Sequence, residues 1–595
     1  MSKKTTISLK EAPNLTEIAV NSIYTLLEQE GIETVLYIDD KFDIEEQKSF
    51  FIGMTKQIKS SKNYPKEDIL EEKINWHLSD SAFNTEIQKI WDKNDDKKNL
   101  IHGLSSFLGD SESSNIIPAL EFENHFKDGN IIFLTPQQWI DQKEEILKTL
   151  KEEKRILCLF DFELEGFLGP NKEQNGIELT KSLIESEHSD KVICGIFSHK
   201  YSEEDEDSYR KKYSEQFSLD ERFFCTISKS RFAFDPKLSG FAEGIKYILS
   251  TKYVEDLKGK SIKIIEEANI SSINTLQNIS PKTFNQIVQK SSYKEGVWEI
   301  KTLFRLNNIL SSDANYTSLL DENIRKEFVE SIEKIRNIDN VETGYITENY
   351  SPESSEIRKK ELYTRQQLLN KLNLPLANGD MFKIGNKEYI LSVQPCNLAL
   401  RNNGKRSRDY NKGVLIPLSK LKKQKFNQTT SYKLFSTDLS NDEIIVATFP
   451  DYKIINLDLL DLTVFNSDNF SSIDLTIDNI ENNVIIQSSW KKRYRYIHKN
   501  ILKHEKAYIA YEKIKNSLKG NMSDELKLLN PYFDRPFCIN KFTIGKVNVY
   551  NKNERIFNFP IERIKRYNNP FAIDLLQNFM SYLSRNGFEV DFTNK

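Results

Sequence analysis

An α/β fold is predicted for residues 1–255: a doubly wound, five-stranded parallel sheet carrying a large insertion at about 44–125. Two observations lead there. Short apolar runs recur along this stretch without polar alternation, as strands covered on both faces require. Segments with helical spacing separate them, and right-handed crossovers then wind the chain onto both faces of one sheet.

The elements follow in order. Residues 15–30 (LTEIAVNSIYTLLEQE) have helical spacing, and the next apolar run, VLYIDD, closes on Asp39 and Asp40. Helical periods with polar breaks fill 44–125. IIFLT (131–135) reads as a strand, and the following segment as a helix with Pro136 near its start, where a missing N–H costs nothing. RILCLFD (155–161) is a buried strand ending on Asp161, followed by a loop with Gly166, Gly169 and Pro170 and by the helix GIELTKSLIES. VICGIFS (192–198) ends on Ser198, a polar helix spans about 203–217, and RFFCTISK (222–229) ends at Lys229. An amphipathic helix over about 237–251 completes the unit.

Beyond it, the pattern divides into a helical segment at 256–372, a β-rich domain at 373–489 and a basic helical domain at 490–595. SPKTFNQIVQ and VWEIKTLFRLNNIL carry the helical part; EYILSVQPCNLAL, IIVATF and NNVIIQSSW carry the β-rich part. ILKHEKAYIAYEKIKNSL and the closing NPFAIDLLQNFMSYLSRNGF, with Pro570 near its start, read as helices.

Composition excludes several classes. A chain of 595 residues with 36 Phe and 25 Tyr is too aromatic for a disordered protein. Lys and Arg (84) nearly balance Asp and Glu (88), so overall charge demands neither nucleic acid nor membrane. The five Cys (158, 194, 225, 396, 538) form no CxxC pair, which argues against a disulfide scaffold or zinc ribbon and fits a reducing compartment. Apolar runs stay well short of the about 18 residues that span a bilayer, and the start lacks a signal-peptide core. A cytoplasmic multidomain protein without repeats is the expectation.

Function in doubly wound sheets sits at the carboxyl ends of the strands. There the sequence places Asp39, Asp40, Asp161, Ser198 and Lys229. Three carboxylates can hold a hard divalent cation such as Mg²⁺, which prefers oxygen ligands. A carboxylate beside such an ion can accept a phosphoryl group, while a hydroxyl and an ammonium hold the remaining oxygens.

These residues, in this order, resemble the receiver domain of two-component response regulators over about 30–255. The resemblance implies that Asp39, Asp40 and Asp161 bind Mg²⁺, that Asp161 is the phosphoacceptor, and that Ser198 and Lys229 contact the phosphoryl group. The sequence departs from the family pattern in five respects: about 90 extra residues separate the first strand from the second, the loop from Asp161 to the Gly176 helix is longer than usual, His199 stands where a small residue is usual, Ser230 where Pro follows the lysine, and Thr226 at the position of the switching aromatic. The segments VQPCNLALRNNGKR and PFAIDLL…YLSRNGF resemble parts of large bacterial receiver-containing proteins of phage-defence or conflict operons. That resemblance implies an antiviral signalling component without turnover, and a protein partner such as an ATPase of the histidine-kinase and Hsp90 type. An inert pseudo-receiver scaffold for protein binding is a further expectation, motivated by His199 and Ser230.

Other chemistries fit the sequence less well. Asp161 and Glu163 form a DxE that would suit a Toprim-like metal site, although such a site wants Glu where this chain has Asp39. DDKFD lacks the DxDx[TV] of a haloacid-dehalogenase-type phosphatase. Cys396 is expected to be buried and structural, because the seven scattered His (77, 102, 125, 188, 199, 498, 504) offer it no evident base. Residues 491–595 hold 21 basic and 10 acidic residues, a balance of +11, leaving −15 for the rest. Together with RNNGKRSR (401–408) and WKKRYRYIHK (490–499), this predicts a nucleic-acid-binding effector surface built on Arg401, Lys405, Arg406, Arg408, Lys491, Lys492, Arg493 and Arg495.

Overall fold

In the computed structural model the described residues are 15–65, 74–95, 97–108, 131–148, 154–164, 175–233, 238–345, 351–407, 410–436, 442–480, 486–518, 524, 528 and 549–584. The loop with Gly166, Gly169 and Pro170, the insertion beyond 108, Arg408 and Cys538 lie outside them. The chain divides into two compact units: Met1–Ser271 with Ser312–Thr347, and Ser272–Ser311 with Glu348–Lys595.

The first unit holds a five-stranded, all-parallel sheet, formed by β1 (Ile32–Ile38), β2 (Ile131–Leu134), β3 (Arg155–Asp161), β4 (Val192–Ser198) and β5 (Phe224–Ser228) in the order β2-β1-β3-β4-β5. Alternate strand residues feed two cores. Val35, Tyr37, Leu157, Leu159, Phe197 and Ile227 pack with helices Leu15–Gln29 and Ser239–Asn278. Leu36, Ile38, Ile156, Cys158, Phe160 and Ile196 pack with helices Pro136–Lys148, Asn175–Ile184 and Glu206–Phe217. Both faces are therefore covered, which is why these strands read as unbroken apolar runs.

The insertion builds a core of its own. Helices Ile44–Ser61, Asp80–Lys93 and Lys97–Leu108 close around Phe51, Phe83, Trp91 and Leu104. The helix expected to end near 251 runs from Ser239 to Asn278. No proline interrupts its sequence before Pro281, and Ser280 caps the next turn. The expected boundary at 255/256 thus falls inside one helix.

In the second unit, ten strands of the described residues form one sheet in which neighbours pair antiparallel. Its main path joins strands Ser431–Leu434, Glu443–Thr448, Lys412–Lys422, Lys387–Leu391, Asp380–Ile384, Ile556–Tyr567 and Phe470–Asp474. The long strand Ile556–Tyr567 is central, although the sequence reading made this region helical. The terminal segment therefore shares a core with the β-rich region: Phe557, Phe559 and Ile561 pack with Leu391, Leu415 and Trp490. Ser488–Trp490, expected to close a strand, instead begin the helix Ser488–Ser517. The closing helix, Phe571–Leu583, follows Pro570 as expected.

Candidate functional site

In the order β2-β1-β3-β4-β5 the chain reverses its direction of growth between β1 and β3, and in doubly wound sheets ligands bind at such a point, outside the carboxyl ends of the strands. Asp39 and Asp40 follow β1, and Asp161 closes β3. Ser198 closes β4 in register with Ser228, the last residue of β5, so Lys229 emerges next to it. The structure brings all five strand-end candidates to one end of the sheet, and all five are buried.

Lys229 ties the acids together. Its Nζ lies 2.8 Å from Asp161 Oδ2 and 3.2 Å from Asp39 Oδ2. Asp39 Oδ1 accepts the Lys41 backbone N–H at 3.0 Å, and Tyr37 donates its hydroxyl to Asp39 Oδ2 at 3.3 Å. Asp161 Oδ1 accepts the Phe162 N–H at 2.8 Å. Asp40 Oδ1 stands 3.4 Å from Lys41 Nζ. Carboxylate oxygens of Asp39, Asp40 and Asp161 all lie within 4.8 Å of one another. Ser198 Oγ accepts the Lys200 N–H at 3.0 Å, which leaves its own proton available as a donor.

The electrostatics are lopsided. Three carboxylates share the pocket with two contacting lysines, Lys229 on Asp39 and Asp161 and the partly exposed Lys41 on Asp40. Burial opposes ionisation of Asp39, but Lys229 and the Lys41 N–H outweigh it and hold the carboxyl below its ordinary range. Burial pushes Asp161 up to about 7, with Asp39 and Asp40 adding to the shift against the pull of Lys229. Burial also works against the charge on Lys229, but the two aspartates keep its ammonium well above the usual lysine range. His199, at the rim, is pushed down to about 4 by desolvation and by Lys229, so near pH 7 it adds no charge.

Several supporting residues were missed by the sequence reading. Glu206 takes both Arg231 Nε (2.8 Å) and Nη2 (2.7 Å), and accepts the Ser228 N–H at 2.7 Å. This clamps the chain on either side of Lys229. Gly176 lets its helix press against Asp161, since a Cβ there would lie 1.9 Å from the Asp161 carbonyl oxygen. Tyr37, two residues before Asp39 on the same face of β1, could have been found from strand alternation. No sequence signal marks Glu206.

The other candidates fall differently. Glu163 is half-exposed and pairs with Lys200 at 2.5 Å, outside the cluster of three aspartates, so the DxE does not converge on one cation. Cys396 is exposed, which corrects its expected burial. Among the basic residues, Arg406 and Arg493 are buried and belong to the interior. Arg406 reaches Asp461 at 2.5 and 2.7 Å; Arg493 reaches Asp461 at 2.9 Å and also pairs with Asp458. Their guanidinium groups are not available to a nucleic acid. Lys492 donates to the Asn402 carbonyl at 2.8 Å, Arg401 stands 3.6 Å from Glu295, and Arg495 donates to Asn479 at 3.1 Å. Lys405 lies over the Tyr496 ring, and Lys491 is half-buried. Among the described residues no helix is long and apolar enough to cross a membrane.

Fold and site together define an α/β unit with an acidic, lysine-bridged pocket at the switch point of a parallel sheet. No family model matches the chain, and no curated protein or solved structure matches it.

Proposed function

We propose that the protein is a signalling component whose first unit accepts a phosphoryl group on Asp161. The observation that carries this reading is the convergence of Asp39, Asp40, Asp161, Ser198 and Lys229 at the β1/β3 switch point. The strand order supports it, because this is one of the common doubly wound orders and binds its ligand there. The donor set suits Mg²⁺: three buried carboxylates with oxygen atoms within 4.8 Å, and more negative charge than Lys229 and Lys41 together offset. Asp39, Asp40 and Asp161 would hold the ion, which supplies positive charge for the phosphoryl oxygens.

The residues of the chain do the rest. An Asp161 carboxylate oxygen forms the new O–P bond as the bond from phosphorus to the donor's leaving group breaks, and the electron pair departs with that group. The Ser198 hydroxyl and the Lys229 ammonium hold phosphoryl oxygens through charge-assisted hydrogen bonds. Lys229 must then reapportion its donors between Asp39 and the new group, and the Glu206–Arg231 clamp carries that shift to helix Glu206–Phe217. The likeness of segments 393–406 and 570–588 to phage-defence proteins supports a bacterial antiviral setting, with an ATPase of the histidine-kinase and Hsp90 type as the kind of partner.

A second reading is an inert scaffold for protein binding. It is favoured by Thr226, which is buried with its hydroxyl on the Glu206 carbonyl at 2.6 Å where a mobile aromatic would be needed. One experiment separates the two. Full-length protein is incubated with Mg²⁺ and acetyl phosphate and its mass followed, beside Asp161→Asn. A single phosphoryl adduct that is Mg²⁺-dependent and lost in the variant supports the phosphoswitch. Absence of any adduct, with no thermal shift from Mg²⁺ and beryllofluoride, overturns it in favour of the scaffold.

A further inference from the structure

A cavity of about 610 Å³ lies within the second unit, a size suited to a small organic ligand. Its walls are mostly apolar. Trp298, Phe304, Leu368 and Leu372 line it, and the last three remain 63%, 43% and 37% exposed. Large apolar side chains left uncovered around one concavity mark a ligand site more often than a random surface. The wall at 296–298 is held by Gly296, whose φ is +69° and whose Cβ would meet the Leu400 carbonyl oxygen at 1.6 Å. No side chain can stand there without moving that wall.

The polar groups of the cavity are unequal. Asn378 donates to the Ala572 carbonyl at 2.8 Å and Asn568 to the Glu361 carbonyl at 2.9 Å, so both amides are engaged. Two cations keep N–H donors to spare. Lys301 lines the cavity, and among the described residues no hydrogen bond or ion pair holds its ammonium. Desolvation and the neighbouring Arg566 guanidinium hold that ammonium below the usual lysine range. Arg566 directs Nε to Asp380 and Nη2 to the Pro375 carbonyl, each at 2.6 Å, which leaves the two N–H groups of Nη1. Asp380 is already shared, since Arg563 also donates to it at 2.8 Å. Glu295, the acid of an adjoining cavity, is paired with Arg401. Positive charge is in excess, beside an apolar hollow.

We propose that this cavity binds a small amphiphilic anion, its apolar body against Trp298, Phe304, Leu368 and Leu372 and its carboxylate or phosphate head group on Lys301 and Arg566. The site is independent of the Asp161 pocket. An alcohol of the same chain length fills the hollow equally but cannot satisfy the two cations, so the head group sets the affinity.

The test is calorimetric titration of the full chain with decanoate, decyl phosphate and 1-decanol below their aggregation limits, with tryptophan fluorescence reporting on Trp298. At least one anion should bind roughly tenfold or more tighter than the alcohol, as a charge-assisted hydrogen bond predicts. The tighter of the two names the head group. Lys301→Gln should remove that preference while leaving the alcohol unchanged, and Phe304→Ala should weaken all probes that bind. Both side chains reach solvent, so neither variant should alter the urea midpoint. Equal affinity for alcohol and anions, anion binding undiminished in Lys301→Gln, or no binding of any probe would each overturn the assignment.

Discussion

Two buried charge clusters, one in each unit, differ in a way that separates structure from function. In the second unit, Arg406 and Arg493 face Asp461 and Asp458, two cations against two anions, with every side chain nearly or fully excluded from water. In the first unit, three aspartates face two lysines: Lys229 lies on Asp39 and Asp161, and Lys41 lies on Asp40. The matched cluster needs nothing further to be stable. The unmatched one carries charge that its own side chains do not offset, and that is the condition for capturing a cation or a phosphoryl group. Charge balance inside a buried cluster is therefore a more useful guide here than the presence of charge.

The sharpest way to break the comparison is to remove one member of the matched set. Asp461→Ala would leave two buried guanidinium groups facing only Asp458, and breaking such a pair costs about 3–5 kcal/mol. The urea midpoint of the second unit should fall accordingly. A change of less than about 1 kcal/mol would mean that water or rearrangement satisfies the arginines, and that the network is not structural. In the unmatched set the same operation has the opposite expectation. Asp40→Asn removes the repulsion with Asp39 and Asp161 and gives up only the partly exposed Lys41 contact, so the metal-free protein should keep or raise its midpoint, while stabilisation by added Mg²⁺ should disappear.

A smaller loss is expected for Lys229→Met. The variant strips the cation from Asp39 and Asp161, but Asp161 can take up a proton and so avoid the full penalty of an unpaired charge. A loss of about 2–3 kcal/mol is expected, below the cost of breaking a buried pair outright. Added Mg²⁺ should recover part of it. If Mg²⁺ gives no recovery, the carboxylates do not form a cation site.

The two clusters should also respond to pH with opposite sign. Asp161 titrates higher in the fold than in the unfolded chain, so its contribution is fully present below about pH 4. That contribution is lost as pH rises toward about 7, where the folded carboxyl ionises. Melting temperature relative to Asp161→Asn should decline across that window and level off above it. Asp461 is depressed: burial raises it, but Arg406 and Arg493 outweigh the burial. Its contribution is present above the unfolded value near about 4 and is lost only as pH falls below it. Relative to Asp461→Asn, the parent should therefore gain stability on leaving acid and show no further change near neutrality. Parallel slopes for the two comparisons would remove the distinction between the clusters.

The sequence made the unmatched cluster legible and hid the matched one, for a physical reason. A parallel strand covered on both faces must be apolar, so the polar residue that ends it stands out: Asp39, Asp161, Ser198 and Lys229 were found this way. Arg406 and Arg493 sit in basic, turn-rich or aromatic-basic stretches that read as surface. Their partner Asp461 lies 55 and 32 residues away, and nothing local reveals the pairing. The strand Ile556–Tyr567 was missed although IFNFPIERIKRY buries its residues in near alternation. Its flanking charges resemble those of a helix, and its partners, strands Asp380–Ile384 and Tyr363–Arg365, come from far upstream. Glu206 and Gly176 act through contacts that only the fold creates.

The smallest effect tests the boundary of the unmatched cluster. Glu163 lies two residues beyond Asp161 but pairs with Lys200 near the surface, with the two side chains 55% and 41% exposed. A pair so open to solvent contributes about 0–1 kcal/mol, and salt screens it further. Glu163→Gln should therefore scarcely move the melting temperature. Its value lies in the metal response. If the cation site consists of Asp39, Asp40 and Asp161, the Mg²⁺-dependent stabilisation should persist in Glu163→Gln and vanish in Asp40→Asn. If instead the response vanishes in Glu163→Gln and survives in Asp40→Asn, the cation is held by the DxE pair. Lys200 would then have to release Glu163 to let it bind, and the reading of the pocket as a phosphoryl acceptor would fail with it.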